Sequence, residues 1–116
     1  MKQKLPIIVC KYLPKHIAAL TLYPIIIYKD ASFAEDAILI NHERIHLKQQ
    51  LELLILPFYI WYGIEFLIRL LYLRNRKKAY RAISFEQEAY THEANLAYLK
   101  QRKAYAFFQY LRNQKL

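Results

Sequence analysis

Apolar and polar residues follow two different periods along the chain. The segments 5–9 and 20–28 are rich in Ile, Leu and Tyr, and prolines at positions 6, 14 and 24 interrupt this part of the chain. Each proline disfavours a continuous helix, and β-branched and aromatic residues favour strands. We therefore expect a small N-terminal β element of about two strands, with residues 24–28 as the clearest strand.

From about residue 33 to 56, apolar residues recur at three-, four- and seven-residue steps, which predicts one long helix. Ser32 or Asp36 can cap its start, and Ser32 with Glu35 fits the capping-box spacing S-x-x-E. The predicted core-facing stripe of this helix consists of Ala37, Ile40, Leu47, Leu51 and Leu54.

Further helices are predicted over the second half of the chain. Pro57 favours the start of a helix that continues to about Leu73, and a basic connector follows at 74–78. Two more helical segments are expected over 79–99 and 102–111. A single glycine also argues against an all-β fold. The predicted fold is α+β and predominantly α, a single domain over residues 1–116 with about four helices and a small N-terminal β element.

The predicted long helix carries the pattern H-E-x-x-H at His42, Glu43 and His46. Positions i and i+4 lie on one helix face, so both imidazoles can bind one metal ion, and Glu43 can act as a base on a water molecule in an open coordination position. Downstream, Gln49, Gln50 and Glu52 can hydrogen-bond to the ligands. A solvated helix face is the alternative interpretation of all these polar residues.

A catalytic zinc site needs a third protein ligand. His16 and His92 are distant in sequence, and Glu86 and Glu88 lie in the segment Phe85-Glu86-Gln87-Glu88-Ala89-Tyr90. Here the chain resembles gluzincins, which carry H-E-x-x-H on one helix and E-x-E-A on a later one. The resemblance implies a minimal zincin-like fold, with Glu86 as third zinc ligand beside His42 and His46. Glu88 or Glu93 is the alternative ligand.

The resemblance also implies a zinc-dependent peptidase that acts on a peptide or protein substrate, with Glu43 as general base. Tyr80, Tyr90 and His92 are candidates for stabilising the oxyanion. Gluzincin families place an acid or amide where this chain has Tyr90. A strand beside the motif helix would pair with an extended substrate. A metal-binding relative without peptidase activity is the second expectation.

Charge and aromatic content favour a different class of function. The formal net charge is +9, and cations are densest over 74–81. This favours an anionic membrane surface or nucleic acid, although no nucleic-acid-binding motif accompanies the charge. The aromatic run 53–64 is too short to span a bilayer, so it suits a core helix, a peripheral membrane surface or a homo-oligomer contact. The lone Cys10 and the absence of a convincing signal peptide predict a cytoplasmic protein.

Overall fold

Three short strands form a mixed sheet in a computed structural model that describes residues 8–15 and 17–111. They are β1 (Ile8–Val9), β2 (Ala19–Leu22) and β3 (Ile25–Tyr28). The central strand β3 pairs in parallel with β1 and antiparallel with β2. The predicted β element is confirmed, with three strands among the described residues instead of two. Residues 5–7 of the predicted first strand lie outside the described residues, as does His16.

One face of the hairpin formed by β2 and β3 is buried. Thr21 pairs with Ile26 across the two strands, and both residues are buried, as is Tyr28 at the end of β3. Side chains alternate between the faces of a sheet, so these residues point to the same side. That side faces the first α-helix, where the hydroxyl of Thr21 meets Glu43.

The first α-helix, α1 (Ala37–Glu52), is shorter than the sequence predicts. Asp36 is its cap, since one carboxylate oxygen accepts from the backbone N–H groups of Ile38 and Leu39. Ser32 instead donates to Asp30, and a 3₁₀-helix covers Ala31–Glu35. Of the two predicted caps, the structure selects Asp36, and the predicted start at residue 33 is wrong.

The buried face of α1 is polar. Three of the five residues of the predicted apolar stripe are exposed, and the other two, Ile40 and Leu47, are half-buried. Leu51 and Leu54 are 47% and 79% exposed, and Ala37 is also exposed. The buried residues of the helix are Asn41, His42, Glu43, Ile45, His46, Gln49 and Gln50. Ile45 is the single aliphatic member of this set. Hydrogen bonds to neighbouring elements, described below, override the hydrophobic pattern in choosing which face is buried.

The second helix, α2 (Leu56–Leu73), agrees with the prediction to within one residue. Its turn from α1 is tight, and Leu54 and Ile55 both have positive φ. Only Phe58 and Glu65 are fully buried in α2. The helix therefore packs on the core along one face and leaves most of its surface exposed.

The long helix predicted over 79–99 is divided into three shorter helices. These are α3 (Arg76–Ala82), α4 (Ser84–His92) and α5 (Tyr98–Gln101). The basic segment 74–78, predicted as a connector, thus enters the first turns of α3. The helix breaks at Ile83, where ψ is 134°, and this frees the backbone amide of Ser84 for another partner.

Glu65 of α2 is that partner. Its carboxylate accepts from the Ser84 backbone N–H at 2.6 Å and from the Ser84 hydroxyl at 2.7 Å. A carboxylate is favourable at the start of a helix because unpaired N–H groups and the helix dipole both favour negative charge there. Glu65 therefore sets where α4 begins, and α4 carries Glu86.

Helix α4 is the centre of the domain, since its first six residues, 84–89, are all buried. Phe85 packs with Phe58, Ile83 and Phe107 in the main aromatic cluster. On the other side, Ala89 packs with Ile45 and Tyr98. The helix predicted over 102–111 is instead a 3₁₀-helix over Ala106–Tyr110 that contributes Phe107. The predicted α+β, mostly helical fold class is confirmed, with five α-helices among the described residues.

Replacement of Asp36 by Ala should lower the free energy of unfolding by about 1 kcal/mol, because two N–H groups of α1 lose their acceptor. Ser32→Ala is the matched control, since Ser32 bonds only to an exposed carboxylate. Urea unfolding of both variants tests this. Equal effects of the two substitutions would contradict the assignment of the cap.

Candidate metal centre

Three side chains from α1 and α4 converge on one point. Glu86 Oε1 lies 3.2 Å from His42 Nε2 and 3.1 Å from His46 Nε2. All three residues are buried, and their potential ligand atoms lie within 4.8 Å of one another. The pattern H-E-x-x-H supplies two of these residues from adjacent turns of α1, and Glu86 faces both from α4.

Hydrogen bonds on the opposite ring nitrogens determine the tautomers of both histidines. His42 Nδ1 lies 2.8 Å from a carboxylate oxygen of Glu93, and His46 Nδ1 lies 2.7 Å from Gln49 Oε1. Both partners are acceptors, so both Nδ1 atoms carry the hydrogen. In the neutral rings, both Nε2 lone pairs therefore point toward Glu86, as in a metal-binding imidazole.

The orientation of the Gln49 amide is itself determined by its neighbours. Its Nε2 donates to Glu88 Oε1 at 2.9 Å and to the carbonyl of Phe85 at 3.1 Å. The amide oxygen must then face His46. Glu88 in turn accepts from Arg102 and, at 2.6 Å, from the Tyr98 hydroxyl. A chain of buried hydrogen bonds thus connects Arg102 to the imidazole of His46.

The second oxygen of Glu86 is also occupied. Tyr62 of α2 donates to Glu86 Oε2 at 2.7 Å, which leaves Oε1 for the two histidines. Burial and the neighbouring charge of Glu86 raise the pKa of Tyr62 far above its usual value, so the phenol stays a donor. Glu86 is thereby held in one orientation by a neutral group.

The convergence of three acceptors requires a positive charge. Burial alone would raise the pKa of Glu86, but the two imidazoles outweigh burial and hold that pKa well below its usual range. Burial would likewise lower the pKa of His46, and the charges of Glu86 and Glu43 with the hydrogen bond to Glu86 raise it to about 9. A proton on an imidazole or a metal ion between the three atoms can supply this charge.

Two of the three distances among these atoms match a tetrahedral metal site. In a tetrahedral site with ligands about 2.0–2.1 Å from the ion, adjacent ligand atoms are about 3.3 Å apart. The two distances from Glu86 Oε1, 3.1 and 3.2 Å, are close to that value. Two imidazole nitrogens and one carboxylate oxygen also form a ligand set that is typical of catalytic zinc, which keeps its fourth position open.

Glu43 lies beside this cluster and contacts β2. The hydroxyl of Thr21 donates to the carboxylate of Glu43 and, at 3.3 Å, to its backbone carbonyl. Burial raises the pKa of Glu43, and the charges of His46 and His42 oppose that change. The carboxylate is thus held in place next to the two imidazoles by a residue of the sheet.

The edge of β2 that faces α1 is partly occupied by side chains. Gln50 accepts from the Tyr23 backbone N–H at 2.7 Å and donates to the Thr21 carbonyl at 2.9 Å. The Tyr59 hydroxyl donates to the same carbonyl at 2.7 Å. Gln50 therefore joins α1 to the strand through its hydrogen bonds, whereas Gln49 bonds to a histidine of the motif.

The structure brings together some of the residues predicted from the sequence and separates others. Tyr90 packs edge-on against His42, with the ring centroids 4.6 Å apart, and its ring also lies edge-on to that of Tyr80, at 6.4 Å. His92, by contrast, stacks on Tyr98 and contacts the Tyr110 hydroxyl. Of the three oxyanion candidates, Tyr90 contacts the cluster, Tyr80 packs on Tyr90, and His92 has its partners elsewhere.

The two alternatives to Glu86 have other partners. Glu88 is saturated by Arg102, Tyr98 and Gln49, and Glu93 contacts His42 at Nδ1, the nitrogen that faces away from Glu86. Neither carboxylate reaches both Nε2 atoms. Glu52, predicted as a neighbour of the ligands, instead pairs with Arg102 at 2.8 Å.

Sequence reasoning missed Tyr62 and Thr21, because each reaches the cluster from an element that the motif does not include. Helical spacing from the buried Glu65 could have indicated that Tyr62, one turn earlier, shares its inward face. Comparison of this chain with protein-family models, curated proteins and solved structures finds no match.

Replacement of Arg102 by Met should lower the free energy of unfolding by about 3 kcal/mol or more, because Glu88 then stays buried without its cation. The Arg102 side chain is 2% exposed and Glu88 is fully buried. Lys103→Met, at an exposed neighbouring position, is the matched control. Urea unfolding in a chelator measures both without a contribution from metal binding. Equal stability of the two variants would contradict a structural role for the Arg102–Glu88 pair.

Proposed function

We propose that this protein is a zinc-dependent hydrolase of peptide bonds, of the gluzincin type that its two motifs resemble. One observation carries the proposal: three buried ligand atoms converge, and each ligand is oriented by a separate hydrogen bond on its far side. Such outer hydrogen bonds are typical of metal sites, where they fix the tautomer and orientation of the ligands.

In this proposal His42, His46 and Glu86 hold the zinc ion through Nε2, Nε2 and Oε1. The ion would polarise the substrate carbonyl and lower the pKa of a water molecule in the open position from about 15.7 to about 7. Glu93, Gln49 and Tyr62 then keep the three ligands from rotating.

Glu43 is the proposed general base. Its carboxylate accepts a proton from the attacking water and returns it to the leaving amine nitrogen. Burial raises its pKa, which brings a carboxylate closer to the proton affinity that this exchange needs near neutral pH. Thr21 donates to Glu43 and so limits its movement.

Tyr80 and Tyr90 are the proposed donors to the oxyanion. Burial raises the pKa of both phenols, and the charge of Glu86 raises it further, so both hydroxyls keep their protons. A neutral phenol near the reacting carbonyl can donate to the oxygen that becomes negative.

A second candidate function is metal binding without hydrolysis. The observation that favours it is the occupied edge of β2, where Gln50 and Tyr59 already bond to backbone groups that an extended peptide would use. Activity against peptides distinguishes the two functions, whereas metal content does not.

The first test of the proposed function is zinc content. Wild-type protein purified without added zinc should contain about one equivalent per chain, because the site has three protein ligands. His46→Ala should lose it, because two ligands bind zinc far more weakly than three. Elemental analysis of the dialysed proteins measures both.

The matched control for that experiment is His92→Ala. His92 is a partly buried histidine on α4 that contacts Tyr110 and lies apart from the cluster, so this variant should keep its zinc. A folded wild-type protein that takes up no zinc even when zinc is offered would refute the proposed hydrolase, and one that takes up no other divalent metal ion either would also refute the second candidate function.

The second test separates catalysis from binding. Glu43→Gln should keep about one equivalent of zinc and lose peptide hydrolysis by roughly a hundredfold or more, since general-base catalysis contributes about 10²–10⁴ to a rate. Cleavage of a mixed peptide library, followed by mass spectrometry, measures turnover. Unchanged turnover in Glu43→Gln would rule out the role of Glu43, and no cleavage by zinc-loaded wild type would favour the second candidate function.

A further inference from the structure

Helix α2 presents a continuous apolar face to solvent. Ile64, Leu67 and Leu71 are 54%, 58% and 79% exposed. We define the free face of α2 as the exposed residues Leu56, Ile60, Ile64, Leu67, Ile68, Leu71 and Tyr72. These positions recur at three- and four-residue steps, so they lie on one side of the helix. A contiguous apolar surface of this kind marks a contact with another apolar body.

The opposite face of α2 is already used by the fold. Phe58 packs in the aromatic cluster, Tyr62 donates to Glu86, and Glu65 binds the start of α4. The free face therefore lies on the far side of the helix from the metal-binding cluster. Among the described residues, no element covers this face. A groove of about 760 Å³ runs along it beside Trp61.

The distribution of charge over the surface indicates what covers this face. The six buried or half-buried carboxylates are Glu43, Glu52, Glu65, Glu86, Glu88 and Glu93. All nine acids of the chain lie within the described residues, so three remain exposed, and these lie together at positions 30, 35 and 36. Eleven Lys and Arg of the described residues are exposed. Burial of the acids thus leaves a strongly cationic surface.

Part of that cationic surface adjoins the free face. Helix α2 ends at Leu73, and the exposed cations that follow at once are Arg74, Arg76, Lys77, Lys78 and Arg81. Four of them belong to α3, which packs against α2. No acidic residue is exposed between residues 56 and 81. An apolar helix face bordered by cations is the pattern of a helix that lies in the surface of an anionic membrane.

We propose that the free face of α2 docks on an anionic lipid bilayer, with the helix in the plane of the interface and the cations of 74–81 against lipid headgroups. A second copy of this chain would bring the same cations to the rim of the contact, whereas anionic headgroups complement them. Nucleic acid would engage the cations and leave the apolar face uncovered.

The inner face of α2 explains why the helix should lie parallel to the membrane surface and not cross the bilayer. By length and composition α2 could cross a membrane, with a mean hydropathy of 1.3 over its 18 residues. However, Glu65 and Arg69 form an ion pair on its inner side, and Glu65 also holds Ser84. A crossing helix would have to expose this pair to lipid, which is unfavourable. A helix that lies in the plane of the membrane keeps its inner face packed on the domain, so the ion pair is not exposed to lipid.

The chain contains a reporter for this docking. Trp61 is its single tryptophan and lines the groove along the free face. Titration with vesicles of phosphatidylcholine mixed with phosphatidylglycerol should shift its emission to shorter wavelength and protect it from a water-soluble quencher. Vesicles of phosphatidylcholine alone should give a much smaller change, and added salt should weaken the first effect.

Two pairs of matched variants test the surface. Arg76→Glu with Lys77→Glu should weaken binding roughly tenfold or more, since each cation at an anionic surface contributes to affinity. Lys11→Glu with Lys15→Glu changes the net charge equally at exposed positions between β1 and β2 and should bind nearly as wild type. Ile64→Gln with Leu71→Gln should lose the emission shift, whereas Ile38→Gln with Leu96→Gln, also exposed, should keep it.

Several outcomes would overturn the proposal. A folded wild-type protein that does not bind anionic vesicles would refute it, as would equal losses in both charge-reversal pairs, which would indicate attraction without a specific surface. Light scattering of the protein alone is the last check. A dimer in wild type that becomes a monomer in Ile64→Gln with Leu71→Gln would show that a second copy covers the face. Circular dichroism of each variant confirms that it is folded, so a loss of binding can be assigned to the surface.

Discussion

The fold depends on the burial of carboxylates, each of which must receive hydrogen bonds or a positive charge. Glu65 receives two bonds from Ser84, and Glu88 receives an arginine, a tyrosine and an amide. A buried ion without such partners would cost several kcal/mol, roughly as much as the net stability of a small domain. Glu86 faces two imidazoles and one phenol. Together with those two imidazoles, Glu86 also forms a group that could bind a metal ion.

This requirement explains why α4 is short and central. A continuous helix over 79–99 would commit the Ser84 amide to the helix and leave Glu65 without its donor. The break at Ile83 frees that amide, and the extended backbone at Arg102 lets its guanidinium reach Glu88 and Glu52. The helices of the second half of the chain therefore end at positions where a buried carboxylate needs a partner. Glu65 of α2 takes the backbone N–H of Ser84, and Glu52 of α1 takes the guanidinium of Arg102.

The same requirement separates what the sequence can predict from what it cannot. The fold class and the span of α2 follow from hydrophobic period, and the proximity of His42 and His46 follows from motif spacing. The position of Glu86 beside them is expected only from the resemblance to gluzincins. The buried face of α1 does not, because a period analysis assigns Leu51 and Leu54 to the core while hydrogen bonds bury Gln49 and Gln50 instead. Tertiary partners of this kind, such as Thr21 on a strand outside the motif, leave no local signal in the sequence.

The burial of acids also connects the two proposals. Six of nine carboxylates are taken into the interior or into its ion pairs, so eleven exposed cations of the described residues face only three exposed acids. Helix α2 lies between the metal-binding cluster and the proposed membrane surface. Tyr62 and Glu65 are on its inner face, and apolar residues are on its outer face. An α-helix is about 10 Å across. A bilayer on the free face would therefore lie about one helix diameter from the groups that hold Glu86, on the opposite side of α2.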